Sequence, residues 1–457
     1  MLRRLITCVF VVLAVSVPAA GAAVHPTNPS PQTLPDSFAG ISVETTLVPT
    51  WFGTGCKSAA RVALAMLGRP EIRVGGNSQD RLWPTAPLPP GQNQVAGADY
   101  YHALHCLSAI RSPVIVGLNL LGQNSKATGD LLAAVKNVVD PRLLTISVGN
   151  EPNAYGSRLP APGGYPGFLT LYGQMVGDLQ SRFGTSLPPI AGPDAGTTHW
   201  TDETAKFVTD QGPDQVNDHL YGLSACRQTP GTPTYPTIDQ LLTPQAASSL
   251  VGHLSPVVAA ARADGIPAQI SEANSVACSG VPGVSDSAES GLWAMSLLGG
   301  AATVGFSRVE FHASGGSYDP FVISANGITF RPEWLAMLLA NRLWPVGTRP
   351  MHLTGAFQKG IGAWIGQRPD GSLAAMIVNY DRTNPHTLVL RTTKQRATVG
   401  RVTVLNPTTL TLDGRQLAWA DGQPAWTGTS TLEHPPLKNR TVNVVMPPGS
   451  GAWIRLS

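Results

Sequence analysis

Thr145-Ile-Ser-Val-Gly-Asn-Glu151-Pro-Asn153 is the stretch on which the fold turns. Its first half is apolar and β-branched, the composition of a strand covered on both faces. Its second half stops that strand. Pro152 has no N–H to give to a sheet ladder, so pairing ends at Asn150-Glu151. A carboxylate is thereby left at the carboxyl end of a buried strand. In α/β barrels and doubly wound sheets, ligands bind at that end.

Working outward, Gln269-Ile-Ser-Glu272-Ala-Asn274 ends in the same way. With these two, eight strand-like runs are expected, at 38–44, 71–76, 113–120, 143–149, 189–193, 216–223, 268–273 and 307–311. Helical patterns alternate with them, at 57–67, 99–110, 128–138, 168–183, 202–211, 244–263, 287–302 and 332–343. Eight alternating units predict an α/β fold of the (β/α)8 TIM-barrel type. From about Gly347 the pattern changes to short alternating runs separated by Asp-Gly, Asn-Pro and Pro-Gly turns, which predicts a C-terminal all-β sandwich. The expected domains are the barrel over 38–346 and the sandwich over 347–457. The Pro-rich lead at 23–37 is extended and available as a further strand of the sandwich.

Residues 1–22 have the form of a secretory signal. Arg3 and Arg4 precede an apolar run from Ile6 to Val17, and Ala20-Gly21-Ala22 supplies small residues for cleavage. Its removal takes two of the 31 basic residues and none of the 28 acidic ones, leaving 29 against 28. So neutral a chain offers no basic stripe for nucleic acid. No other stretch is long and apolar enough to span a bilayer, so an extracellular protein without a membrane anchor is expected. Cys56, Cys106, Cys226 and Cys278 remain, an even number suited to an oxidising compartment, with three possible connectivities. Their spacing is not that of a zinc site, and Gly75-Gly76 is not followed by the Gly-Lys-Ser/Thr of a phosphate loop. No metal or cofactor is expected.

Glu151 and Glu272 end strands four and seven, three βα units apart, which sets them across one barrel mouth. Two carboxylates facing each other over a cleft are what glycoside hydrolysis requires: one protonates the leaving oxygen, the other attacks the anomeric carbon.

Several stretches resemble a known group. Asn-Glu-Pro after strand four and Glu at the end of strand seven resemble the retaining (β/α)8 glycosidase clan. Within it, Arg73-Val-Gly-Gly-Asn-Ser-Gln-Asp80, Val148-Gly-Asn-Glu-Pro-Asn153, His219-Leu-Tyr221 and Ser271-Glu-Ala-Asn-Ser275 are similar to glycoside hydrolase family 79, the β-glucuronidases and heparanases. The resemblance implies Glu151 as acid/base and Glu272 as nucleophile. It implies that Asn150 bonds the sugar 2-hydroxyl and that Tyr221 orients Glu272. His219 lies on the same side of its strand as Tyr221 and is either a site residue or a satisfied core histidine. Glu44 and Asn77 match sugar-contacting positions.

For the sugar carboxylate, the resemblance implies backbone N–H donors from the loop Val276-Ala-Cys278-Ser279-Gly280, helped by Tyr318. Ala277 and Cys278 stand where some members carry tyrosine or glycine. Cys226 and Cys278 fall in loops after adjacent strands. A bond between them would stiffen that loop and leave Cys56 to Cys106. The expected activity is a secreted, retaining exo-β-glucuronidase acting on a glucuronide or a glucuronic-acid-containing glycan. An endo-acting heparanase-like hydrolase and a non-catalytic carbohydrate-binding protein on the same fold stand as alternatives.

Overall fold

A computed structural model describes residues 23–53, 56, 58–196, 200–226, 228–355 and 357–457. The expected signal at 1–22 lies outside the described residues. Eight parallel strands close into a barrel: β1 (Ala39–Glu44), β2 (Ile72–Gly75), β3 (Val114–Leu118), β4 (Leu144–Val148), β5 (Ile190–Ala195), β6 (Gln215–Ser224), β7 (Ala268–Ala277) and β8 (Arg308–Ala313). Each pairs with its sequence neighbours, and β8 pairs back onto β1. Their near-continuous burial follows from helices covering the outside and side chains filling the inside.

The helices keep the expected places with shifted ends. Asn124 accepts from Ala127 N at 2.9 Å and starts helix Ser125–Lys136 three residues before the expected 128. Ser58 caps helix Ala59–Met66, and Lys57, the expected first residue, lies outside the described residues. The single helix expected over 244–263 is divided into Ser248–Gly252 and Ser255–Asp264. Pro256, in the first turn of the second helix, has no N–H to continue the first.

Four strands run past their expected carboxyl ends, β6 to Ser224 and β7 to Ala277 among them, and the extensions of β5 and β8 add residues to the site. β5 passes through Pro193 to Ala195, with a register shift between Pro193 and Ala195 against β6. Proline is tolerated at such a bulge. β8 continues past Phe311 to Ala313 and so includes His312.

Apart from two short strand pairs in the barrel's loops, the remaining strands are antiparallel and belong to a second domain. Its seven-stranded sheet runs His25–Pro29, Arg349–Thr354, Ile361–Gln367, Leu373–Asn379, Gly451–Leu456, Ala397–Asn406 and Thr409–Leu412 in spatial order. Strand Leu373–Asn379 is buried on both faces, and its alternation splits it between two cores. Ala374, Met376 and Val378 join the barrel core, whereas Leu373, Ala375 and Ile377 face the pair His386–Arg391 and Thr441–Met446. The Ser296 hydroxyl bonds Tyr380 at 2.6 Å, and Trp344 Nε1 donates to Ala374 O at 3.1 Å. The domain is thus seated on the barrel's outer helices, and its Trp419 also packs against Phe330 in the segment after β8. Among the described residues, no helix is long and apolar enough to cross a membrane.

Candidate active site

The carboxyl ends of the strands converge on a cavity of about 500 Å3. Glu44, Asn77, Glu151, Tyr221, Glu272, Cys278, Ser279 and Tyr318 all line it, as does His312. Asn150 lies just beneath, buried, with its amide 3.3 Å from Asn77 Oδ1. The candidate residues named from the sequence are therefore brought to one place.

Local backbone features aim the side chains. Glu151 follows Gly149 and Asn150 off β4 with φ 46°, a left-handed conformation rare for glutamate. Its N–H donates to Asp194 O at 2.8 Å, tying the turn to β5. β7 has a register shift against β6 between Ile270 and Glu272. Consecutive Ser271 and Glu272 therefore both find partners inside the barrel, where strict alternation would turn one away.

Glu272 is held from both sides. Arg73 Nη1 donates to its Oε2 at 2.8 Å, and the Tyr221 hydroxyl donates to its Oε1 at 2.6 Å. Arg73 also donates to Asn150 Oδ1 at 2.8 Å and to Ser42 Oγ at 3.2 Å. His312 Nδ1 lies 3.6 Å from Glu272 Oε2, and its Nε2 3.6 Å from Glu44 Oε1. Burial acts to raise the pKa of Glu272. His312, His219, Arg73 and the Tyr221 hydrogen bond outweigh it and push the value down to about 2. Glu272 is a carboxylate at any ordinary pH.

Glu151 has a different setting. Its side chain is 24 % exposed, against 6 % for Glu272, so water and a leaving group can reach it. His219 Nδ1 faces its Oε1 at 3.2 Å. Gly196 lies so close that a Cβ there would meet the Glu151 carboxyl carbon at 2.8 Å. One oxygen each of Glu151 and Glu272, with a ring nitrogen of His219, fall within 4.8 Å of one another. That trio has the reach of a metal site but not its chemistry. The other ring nitrogen of His219 faces Asp194 at 3.3 Å, so carboxylates claim both nitrogens. Burial works against charge on His219, yet Glu272, Asp194 and Glu151 outweigh it, and the ring is pushed up to about 10. While protonated the ring has no lone pair for a metal, and a cation would have to displace a proton shared with these carboxylates. The grouping Cys56, His102 and Cys106 fails similarly, because its two sulfurs are bonded to each other.

Around the cavity, Glu44 accepts from Asn77 N at 3.1 Å, Ser78 N at 2.9 Å and the Ser78 hydroxyl. Cys226 is bonded to Cys278, joining the loops after β6 and β7, and Cys56 is bonded to Cys106. Cys278, Ser279 and Gly280 have φ of 63°, 66° and 79°. Their three N–H groups find no acceptor among the described residues. Successive N–H groups in such a turn form a concave anion site. Tyr318 covers this turn: Ser317 N donates to Ser279 O at 2.8 Å, and Asn274 Nδ2 donates to Tyr318 O at 3.1 Å.

Four further residues belong to the site and escaped sequence reasoning. Arg73 is a lone cation in the apolar run Ile-Arg-Val-Gly, which is itself a signal. His312 was hidden because the eighth strand was ended at Phe311. Asp194 was hidden because Pro193 read as a strand stop. Asp80 binds the N–H groups of Leu120, Leu121 and Asn150 and the Tyr155 hydroxyl, joining the loops after β2, β3 and β4.

No protein-family model matches the chain, and no curated protein matches its sequence. Its fold is shared with solved structures. A 4-O-α-L-rhamnosyl-β-D-glucuronidase from Fusarium oxysporum, in complex with Rha-GlcA, superposes with a TM-score of 0.75 at 19 % identity, over 94 % of this chain and 99 % of that one. A GH51 arabinofuranosidase from Xanthomonas axonopodis pv. citri gives 0.68 at 13 %, over 95 % and 100 %. The catalytic domain of GH30 xylanase C from Talaromyces cellulolyticus gives 0.56 at 10 %, over 96 % and 100 %. These are glycoside hydrolases on (β/α)8 barrels, and at such identities the likeness is one of fold.

Proposed function

We propose that the protein is a secreted, retaining exo-β-glucuronidase of the family 79 type, acting on a glucuronide or the end of a glucuronic-acid-containing glycan. The observation that carries it is the joint lining of one cavity by Glu151, Glu272 and the donor-bearing turn at Cys278 and Ser279.

Glu151 gives its proton to the glycosidic oxygen, and the aglycone departs as an alcohol. Glu272 attacks the anomeric carbon from the opposite face and forms an ester with it. Glu151, now a carboxylate, takes a proton from water, whose oxygen attacks the same carbon and breaks the ester to Glu272. Two inversions give net retention. One oxygen of each glutamate comes within 4.8 Å of the other, an approach compatible with a retaining pair, whose carboxyls stand about 5–5.5 Å apart. An inverting enzyme needs about 6.5–9.5 Å to admit a water between its carboxyls. Arg73 and Tyr221 keep the Glu272 oxygens ionised and aimed. Asn150, itself aimed by Arg73, is placed to bond the sugar 2-hydroxyl.

For the sugar, the N–H groups of Cys278 and Ser279 suit a C6 carboxylate, which accepts on both oxygens without needing a full counter-charge. Tyr318 closes the same wall. The test is hydrolysis of paired nitrophenyl β-glucuronide and β-glucoside, with Glu272→Gln as control. Turnover of the glucuronide alone, lost in the variant, is expected. Turnover of the glucoside at an equal rate would keep the mechanism and discard the sugar assignment.

A further inference from the structure

The same face of the barrel carries a second concavity. It is a groove of about 340 Å3 lined chiefly by Trp83, Pro89, Pro90, Gln92, Asn124 and Arg158. Trp83 and Gln92 lie in the segment after β2, Asn124 after β3 and Arg158 after β4. All therefore belong to loops at the carboxyl ends of strands. Two of these loops, after β2 and β4, also carry Asn77 and Asn153 into the catalytic cavity.

Its polar chemistry is one-sided. The Asn124 side-chain oxygen is occupied in capping helix Ser125–Lys136, so only its NH2 is left to offer. Gln92 Oε1 accepts from Asn119 Nδ2 at 2.8 Å, which again leaves an NH2. Arg158 is exposed and held by neutral groups only. Its Nε donates to Tyr155 O at 3.1 Å, and its guanidinium carbon lies 5.7 Å from the Tyr155 ring centroid. No ion pair within 4.0 Å engages Arg158 among the described residues, and no carboxylate lines the groove. The result is a set of donors, one of them a fixed cation, beside the indole of Trp83.

A ligand to match has oxygen acceptors, an anionic group and a flat C–H face. A pyranose bearing a carboxylate or sulfate has all three: its ring lies on the indole, its oxygens meet the amides and its anion meets the guanidinium. We propose that this groove is a distal subsite for an anionic sugar residue of the glycan whose terminal unit the cleft processes. The choice of ligand rests on the glycosidase reading of the cleft.

The binding test uses Glu272→Gln protein, so that no substrate is consumed, and isothermal titration calorimetry. The probes are a hexasaccharide of alternating glucuronic acid and N-acetylglucosamine, its sulfated counterpart, and a neutral N-acetylglucosamine hexasaccharide. At least one acidic chain is expected to bind more tightly than the neutral one. Adding Arg158→Gln or Trp83→Ala is expected to weaken it about tenfold. The acidic chain that suffers more from Arg158→Gln identifies carboxylate or sulfate as the bound anion. Equal binding of the neutral chain, or undiminished binding in Arg158→Gln, would overturn the subsite.

A turnover test separates the groove from the cleft. In the otherwise wild-type enzyme, Arg158→Gln and Trp83→Ala should raise KM for the unsulfated hexasaccharide while leaving kcat/KM for nitrophenyl glucuronide within about twofold. Equal losses on both substrates would also count against the subsite. If wild-type protein cleaves neither substrate, the glucuronidase reading fails, and calorimetry still decides the groove. Circular dichroism checks that both variants fold.

Discussion

Asp194 Oδ1 stands 3.3 Å from His219 Nε2, with neither side chain exposed to solvent. The same oxygen accepts from Ser271 at 2.5 Å and lies 3.5 Å from Arg73 Nε. One buried carboxylate thus touches two of the cations that hold the glutamates: His219 beside Glu151, and Arg73 beside Glu272. Burial opposes its ionisation, yet Arg73, His219 and Ser271 outweigh that and hold it well below the usual carboxylate range.

Asp194→Asn is expected to keep the shape and remove the charge. Stability should fall by about 3 kcal/mol, because two buried cations lose their shared partner. The sign with pH follows from His219, whose folded value of about 10 stands above the ordinary 6.5. Its contribution is fully present below 6.5 and is lost as pH rises through 10. Urea unfolding across pH 6 to 10 should show a decline that starts near 6.5 in both proteins but ends at lower pH and totals less in the variant. An unchanged profile would mean that Asp194 does not govern the charge on His219.

Glu272→Gln should abolish turnover while the barrel stays folded, since the isostere keeps the volume and loses the nucleophile. The folded value of about 2 lies below the ordinary 4.5, so ionised Glu272 contributes stability that is present above 4.5 and lost as pH falls toward 2. The variant should therefore show a shallower acid limb in its unfolding curve. Retention of most activity would show that Glu272 is not the nucleophile.

Glu151→Ala should discriminate between leaving groups. Substrates with acidic phenols need little protonation and should keep most of their first-step rate, whereas alkyl glycosides should lose about two to four orders of magnitude. Azide, small enough for the vacated space, should restore the second step and give a glycosyl azide. Equal losses across the leaving-group series would remove Glu151 from the role of acid.

Breaking the Cys226–Cys278 bond with paired serines tests the turn that carries the N–H donors. Its sequence separation is 52, for which loop-closure entropy amounts to about 4 kcal/mol. Thermal unfolding should come at lower temperature, and KM for the glucuronide should rise more than KM for the glucoside. A uniform change in both sugars would mean that the bond supports the fold and not carboxylate recognition.

Much of this was legible from local signals. Glu151 and Glu272 announced themselves because Asn-Glu-Pro and Ser-Glu-Ala-Asn each end an apolar run, and the count of eight such runs implied a closed barrel. Local signals failed where the chain breaks its own rules. Pro193 sits inside β5 at a bulge, which put Asp194 beyond the expected strand end. A one-residue shift in β7 lets Ser271 and Glu272 serve the same interior, and period-two alternation does not foresee it. His312 lay past the point where apolar character stops, yet β8 carries it to within reach of Glu272.

The sequence by itself determined the alternation of elements, the strand-end position of both glutamates and the presence of four cysteines. These depend on neighbours along the chain: apolar runs, proline stops and turn residues. Only the tertiary structure decided which cations stand beside which glutamate. Arg73 and Glu272 are 199 residues apart in the chain and 2.8 Å apart in space. Barrel closure and the bulge in β7 create that pairing, and they are properties of how strands register against one another. The charge states follow from the same closure, because burial raises the cost of every lone charge and rewards each one that finds a partner.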